Sequence, residues 1–111
     1  MFDEILVSNE TKDVVLVFKE KEYKFKLKDL SWSVRNRIIS KCMIVSEKSV
    51  TLDIDRYYRM SLKEMIAEAP WDIAKTDEVL SKLDGNFGYS LQRFVPNPYG
   101  NEPSGEEIPK N

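Results

Sequence analysis

From Glu22 to Lys28 the chain reads EYKFKLK, and this strict alternation limits what the segment can become. Successive side chains of a strand point to opposite faces, so Tyr23, Phe25 and Leu27 share one face and Lys24, Lys26 and Lys28 the other. A helix would scatter both sets around its circumference. The pattern therefore predicts a half-buried strand. Its partner is expected just upstream at Val14–Phe18 (VVLVF), a β-branched and aromatic run suited to a pleated surface. The charged stretch KEKE, Lys19–Glu22, lies between them and implies an antiparallel β-hairpin, although it lacks the Asn-Gly or Gly usual in such turns. Ile5–Val7 reads as a short third strand, with the turn formers Asn9–Asp13 between.

Lysines interleaved with aromatics also describe a strand that binds nucleic acid. Two facts weigh against it. The chain carries 17 basic and 19 acidic residues, a net charge of −2, whereas binding to phosphate backbones draws on a basic excess. Period-two geometry also puts the aromatics on the face away from the lysines, where bases could not stack while the lysines hold phosphates. Lysines on an outer strand face discourage edge-to-edge pairing, and that is the role read here. A small nucleic-acid-binding regulator using Lys24, Lys26 and Lys28 stands as the lesser alternative.

After Ser31 the period changes to that of a helix. Ser31 or Ser33 can cap its start. Val34, Ile38, Cys42 and Val45 then fall on one face, with Ile39 alongside. A polar break is expected at Ser46–Thr51. A second helix, led by Asp53 or Asp55, carries the stripe Ile54, Tyr58, Leu62, Met65, Ile66 and Ala69, and Pro70 stops it. Thr76 opens a third, with Asp77 and Glu78 suiting its first turn. Asp84-Gly85 is poor helix interior and good cap chemistry, so Phe87, Leu91 and Phe94 belong to a further helix. Beyond Val95 lie four of the five prolines, without periodicity. The expectation is a single α+β domain over residues 1–95, a hairpin followed by three to four α-helices, and a disordered tail over 96–111.

Chemistry is limited by what is missing. There is no histidine, and Cys42 is the sole cysteine. Zinc sites built on Cys and His, Cys/His nucleophile pairs, Ser/His/Asp triads and internal disulfides are thereby removed. Asp53 and Asp55 with Glu64 and Glu68 form the nearest approach to a carboxylate cluster, but capping and a solvated helix face account for them. DGNFG, with Gly85 and Gly88, lacks the preceding strand and the lysine of a phosphate loop. No catalysis, metal or cofactor is expected. Apolar runs of about five residues cannot span a bilayer, and MFDEILVSNE has acids where a signal peptide is positive, so a cytoplasmic protein is expected.

Several segments together resemble a known group. A hairpin leads through Leu30-Ser31-Trp32 into a helix, followed by MSLKEMIAEAPW at Met60–Trp71 and LDGNFGYSLQRFVPNP at Leu83–Pro98. Over Tyr23–Pro98 the chain is similar to the tail assembly chaperones of long-tailed bacteriophages and related prophages or archaeal proviruses. That resemblance implies a non-enzymatic protein of the host cytoplasm, absent from the mature virion. It would bind the long, helical, hydrophobic tape measure protein and help recruit tail tube subunits. It also implies a longer form made by ribosomal slippage, with which Pro109–Asn111 is compatible if encoded CCA-AAA-AAC. A head–tail connector or minor virion protein is the alternative within the same class. Partner contacts are expected at Tyr57, Trp71, Tyr89 and Tyr99, with core packing the stronger expectation for Trp71. Self-association is expected at the free hairpin edge.

Overall fold

A computed structural model describes residues 2–99 of the chain. The alternating segment is strand β2 (Lys21–Leu27), paired antiparallel with β1 (Lys12–Phe18). Phe18 faces Lys21, which leaves Lys19 and Glu20 as a two-residue turn. Both have positive φ, 53° and 67°. The right-handed twist of the strands demands this turn geometry, and two residues with a Cβ carry it where Asn-Gly would carry it without strain. Lys19→Asn combined with Glu20→Gly is therefore expected to raise stability by about 1–2 kcal/mol, measured by urea denaturation. An unchanged or lowered midpoint would show that the turn is unstrained.

Tyr23, Phe25 and Leu27 face the core, as their spacing predicts, together with Val14, Leu16 and Phe18. The third strand of the sheet is not Ile5–Val7. Asp3–Ile5 is a short 3-10 turn whose residues are exposed. The other edge of β2 is filled instead by β5 (Ile66–Glu68), giving the order β1-β2-β5. The preceding helix, α2 (Ile54–Met65), thus ends well before Pro70. Ile66 and Ala69 were expected on its stripe, but the chain unwinds so that Ile66 pairs with Leu27 and Glu68 with Lys26. The Lys28 N–H also donates to the Met65 carbonyl at 2.9 Å. Backbone groups along β2 gain partners this way, and the pairing overrides local helical preference.

Helix α1 (Trp32–Cys42) begins where Ser31 Oγ accepts from the Val34 N–H at 3.1 Å. Ile38 and Cys42 are buried as expected, but Val45 is not on the helix and is 73% exposed. Met43–Val45 forms β3 and pairs with β4 (Val50–Leu52). Of the polar break expected at Ser46–Thr51, the first four residues form the turn of this second hairpin, closed by the Ser46 N–H on the Ser49 carbonyl at 2.9 Å, while Val50 and Thr51 lie in β4. The β-branched pair Ile44-Val45, just after Met43, favours the extended backbone.

Asp53 caps α2 by accepting from the Arg56 N–H. Helix α3 (Thr76–Leu80) follows a 3-10 turn at Ile73–Lys75, and α4 (Gly85–Gln92) starts at Asp84, as the break at Asp84-Gly85 implied. Helix α4 covers the inner face of the sheet. Phe87 packs edge-on against Phe18 and Tyr23, with centroids at 5.5 and 5.4 Å, and lies 6.3 Å from Phe25. The buried face of α2 centres on Tyr57, Ser61, Leu62 and Met65, rotated from the stripe expected through Ile54 and Tyr58. Tyr57, expected as a partner contact, is 0% exposed, and its hydroxyl donates to the Pro96 carbonyl at 2.8 Å. The polar Ser61, one turn further along and equally buried, hides this register from the sequence.

The segment expected to be disordered from 96 onward begins as a docked strap. Beyond the Tyr57 bond, Arg35 Nη2 donates to the Asn97 carbonyl at 2.6 Å. The expected disorder of residues 100–111 lies outside the described residues.

Candidate partner-binding surface

The β3–β4 hairpin stands as a separate two-stranded sheet, and among the described residues no further strand pairs with it. Its register sets Met43 opposite Leu52 and Val45 opposite Val50 on one face, with Ile44 opposite Thr51 on the other. Met43, Ile44, Val45 and Val50 are all exposed. A lone hairpin is marginal in water, and apolar side chains on both faces raise the cost of leaving it uncovered. It is attached at its base, where the Asp53 N–H donates to the Cys42 carbonyl at 2.8 Å. Beside the arm lies a cavity of about 390 Å³, lined by Ile39, Met43, Val50, Leu52, Pro98 and Tyr99.

A second apolar region lies at the opposite end of α1. Trp32 is 79% exposed, and Ile5, Leu6 and Phe94 with it border a depression that reaches Pro96 and is rimmed by Glu4 and Asp29. The strap from Pro96 to Tyr99 therefore connects the two regions, touching the first through Pro98 and Tyr99 and the second through Pro96. Helix α1 spans the gap between them, about 16 Å for its length. The result is a discontinuous apolar strip running alongside α1.

Between α1 and α2 runs a groove of about 580 Å³ bordered by Arg37, Lys41, Arg56, Arg59 and Lys63. Asp55 pairs with Arg59 and Asp77 with Lys63. Arg37, Lys41 and Arg56 make no ion pair among the described residues, which leaves this groove electropositive on balance. An apolar strip on one flank of α1 and a basic groove on the other suit an amphipathic partner with an acidic margin.

The residues expected to contact a partner separate in space. Tyr99 is 63% exposed at the arm and belongs to the strip. Tyr89 is exposed on α4, beside Gly85 and Gly88, away from the arm lining. Trp71 packs edge-on against Phe25 at 5.4 Å, and its Nε1–H donates to Thr76 Oγ1 at 3.0 Å, so its role is in the core. Tyr57 is interior. Neither Trp32 nor the arm stands out in the sequence: Trp32 reads as part of a helix start, and the arm as a helix end plus a polar break. The signal available was Met43-Ile44-Val45 ahead of a Ser-bounded turn and Val50-Thr51-Leu52, two short β-prone runs.

The lysine row does not form a continuous basic surface. Lys26 donates to Asp13 Oδ1 at 2.9 Å and faces Glu68 across β5, and Lys24 lies opposite Val15. The hydrogen bond and then the charge of Asp13 hold the Lys26 ammonium above the usual lysine range. The candidate carboxylates are dispersed: Asp53 caps α2, Asp55 pairs with Arg59, Glu64 borders the basic groove and Glu68 lies on β5. Among the described residues no group of three or more His, Cys, Asp or Glu is placed to hold a metal. In the DGNFG segment, Asp84 Oδ1 accepts from the Asn86 and Phe87 N–H groups, so a carboxylate sits where a phosphate would. Cys42 is buried against Met60, and burial pushes its thiol pKa up. No helix among the described residues is long and apolar enough to cross a membrane.

Comparison of the chain with protein-family models, with curated proteins and with solved structures found no match.

Proposed function

We propose that this protein is a non-enzymatic assembly chaperone of the phage tail type, which covers hydrophobic helical segments of the tape measure protein and presents them for tube subunit recruitment. The observation that carries this reading is the β3–β4 arm, an unpaired hairpin with exposed apolar residues on both faces. Extended by the strap and by Trp32, it offers apolar contact over several helical turns, and the basic groove favours a partner with acidic flanks. Contacts of this kind are individually modest and gain strength when many copies line one long chain. The resemblance over Tyr23–Pro98 supplies the biological setting.

Co-expression with the long helical tape measure protein tests it. The soluble fraction of that partner is expected to rise with this protein present. With Ile44→Asp and Val45→Asp it is expected to fall to the level without chaperone, since each change puts a charge into the contact and weakens it about tenfold. Both positions are exposed, so circular dichroism should show an unchanged fold. A partner equally soluble without this protein, or with the double variant, would overturn the proposal.

A further inference from the structure

Strand β1 has β2 on one side, and among the described residues no strand on the other. In an antiparallel ladder, paired residues alternate between those that exchange hydrogen bonds and those that turn their backbone groups outward. The Lys28 N–H donates to Met65, so the even-numbered residues along this part of β2 face β5, and the odd ones, Tyr23, Phe25 and Leu27, face β1. Their partners are Leu16, Val14 and Lys12. Asp13, Val15 and Val17 therefore direct their N–H and C=O groups at the open edge.

Such an edge is usually blunted by a central lysine, a proline or a bulge. Here the outward side chains at its middle and end are Val15 and Val17, the latter 68% exposed. We infer that β1 pairs antiparallel with β1 of a second copy about a twofold axis through Val15, joining two three-stranded sheets into one of six strands.

The occupant is a second copy because the strand is self-complementary. Val15 is the midpoint of Lys12–Phe18, so a twofold there overlaps the full strand. Residues on one face stay on that face across the axis. Val14 meets Leu16 on the core side, and Val15 meets Val15 and Asp13 meets Val17 on the outer side. No like charges are opposed. A twofold at Asp13 would set two carboxylates face to face, and one at Val17 would run the partner past the turn at Lys19. An isologous contact of this kind closes as a dimer and removes both free edges.

Sedimentation equilibrium of the full chain, from micromolar to millimolar concentration, reads the result. The unaltered protein is expected to dimerise, and Val15→Lys or Val15→Glu each to weaken the dimer about tenfold or more. An equimolar mixture of the two variants is expected to recover association, because lysine then faces glutamate across the axis. That recovery separates an edge contact from misfolding. Ile44→Asp on the arm is expected to leave dimerisation intact, which keeps this outcome distinct from partner binding. A protein that is monomeric throughout would overturn the inference. So would a dimer insensitive to either Val15 change, a mixture that stays monomeric, or a dimer lost with Ile44→Asp.

Discussion

Phe87→Ala is expected to destabilise the protein by about 3–5 kcal/mol. Phe87 is where α4 meets the sheet, with the rings of Phe18, Tyr23 and Phe25 around it at 5.5, 5.4 and 6.3 Å. Alanine removes the one ring these three share and leaves a cavity that β1, β2 and α4 cannot all close upon. Edge-on aromatic pairs add to the loss from burial alone. Phe87→Leu, which keeps most of the volume but none of the ring geometry, should cost about 1–2 kcal/mol. Urea unfolding and near-ultraviolet circular dichroism would check both. A loss below about 1 kcal/mol for the alanine variant would show that α4 is not essential to the core.

Tyr57 yields the second large effect, and its two variants separate packing from polarity. Tyr57→Ala empties the most enclosed large side chain of the structure and should cost about 3–5 kcal/mol. Tyr57→Phe keeps the ring and removes the hydroxyl that donates to the Pro96 carbonyl. Its cost should be about 1–2 kcal/mol, and its specific signature is local. The strap loses this anchor, so the Tyr99 amide should exchange with deuterium faster while the sheet stays protected. Arg35→Ala, which removes the hydrogen bond to the Asn97 carbonyl, should produce the same local change. Unchanged exchange in both variants would mean that these two hydrogen bonds do not hold the strap.

The parts of this fold that were legible in the sequence are those fixed by local chemistry. The period of Tyr23, Phe25 and Leu27 set the hairpin and its inner face, and Ser31, Asp53 and Asp84 each mark a helix start by capping it. What escaped depends on distant backbone. Ile66 satisfies both a helical stripe and a buried strand, and only the open edge of β2 decides between them. Val45 fits the face of α1 in projection, yet the helix unwinds at Met43 to build the arm. The burial of Tyr57 is hidden in the sequence because the polar Ser61 interrupts the apolar face to which both belong. Of the expected contact residues, Tyr99 is the one the fold brings to the arm. Trp32 and Ile44 could be found only once exposure was known.

The strap is gripped by its carbonyl oxygens, with Tyr57 and Arg35 as donors. Such a grip reads the main chain and disregards side-chain identity at the anchored positions. Pro96 and Pro98, having no N–H, also deprive this segment of the donors that a strand would need. The strap can lie next to the arm and share its apolar lining, but it is a poor template for lengthening that hairpin. The edges of the arm are thereby not filled by their own neighbour.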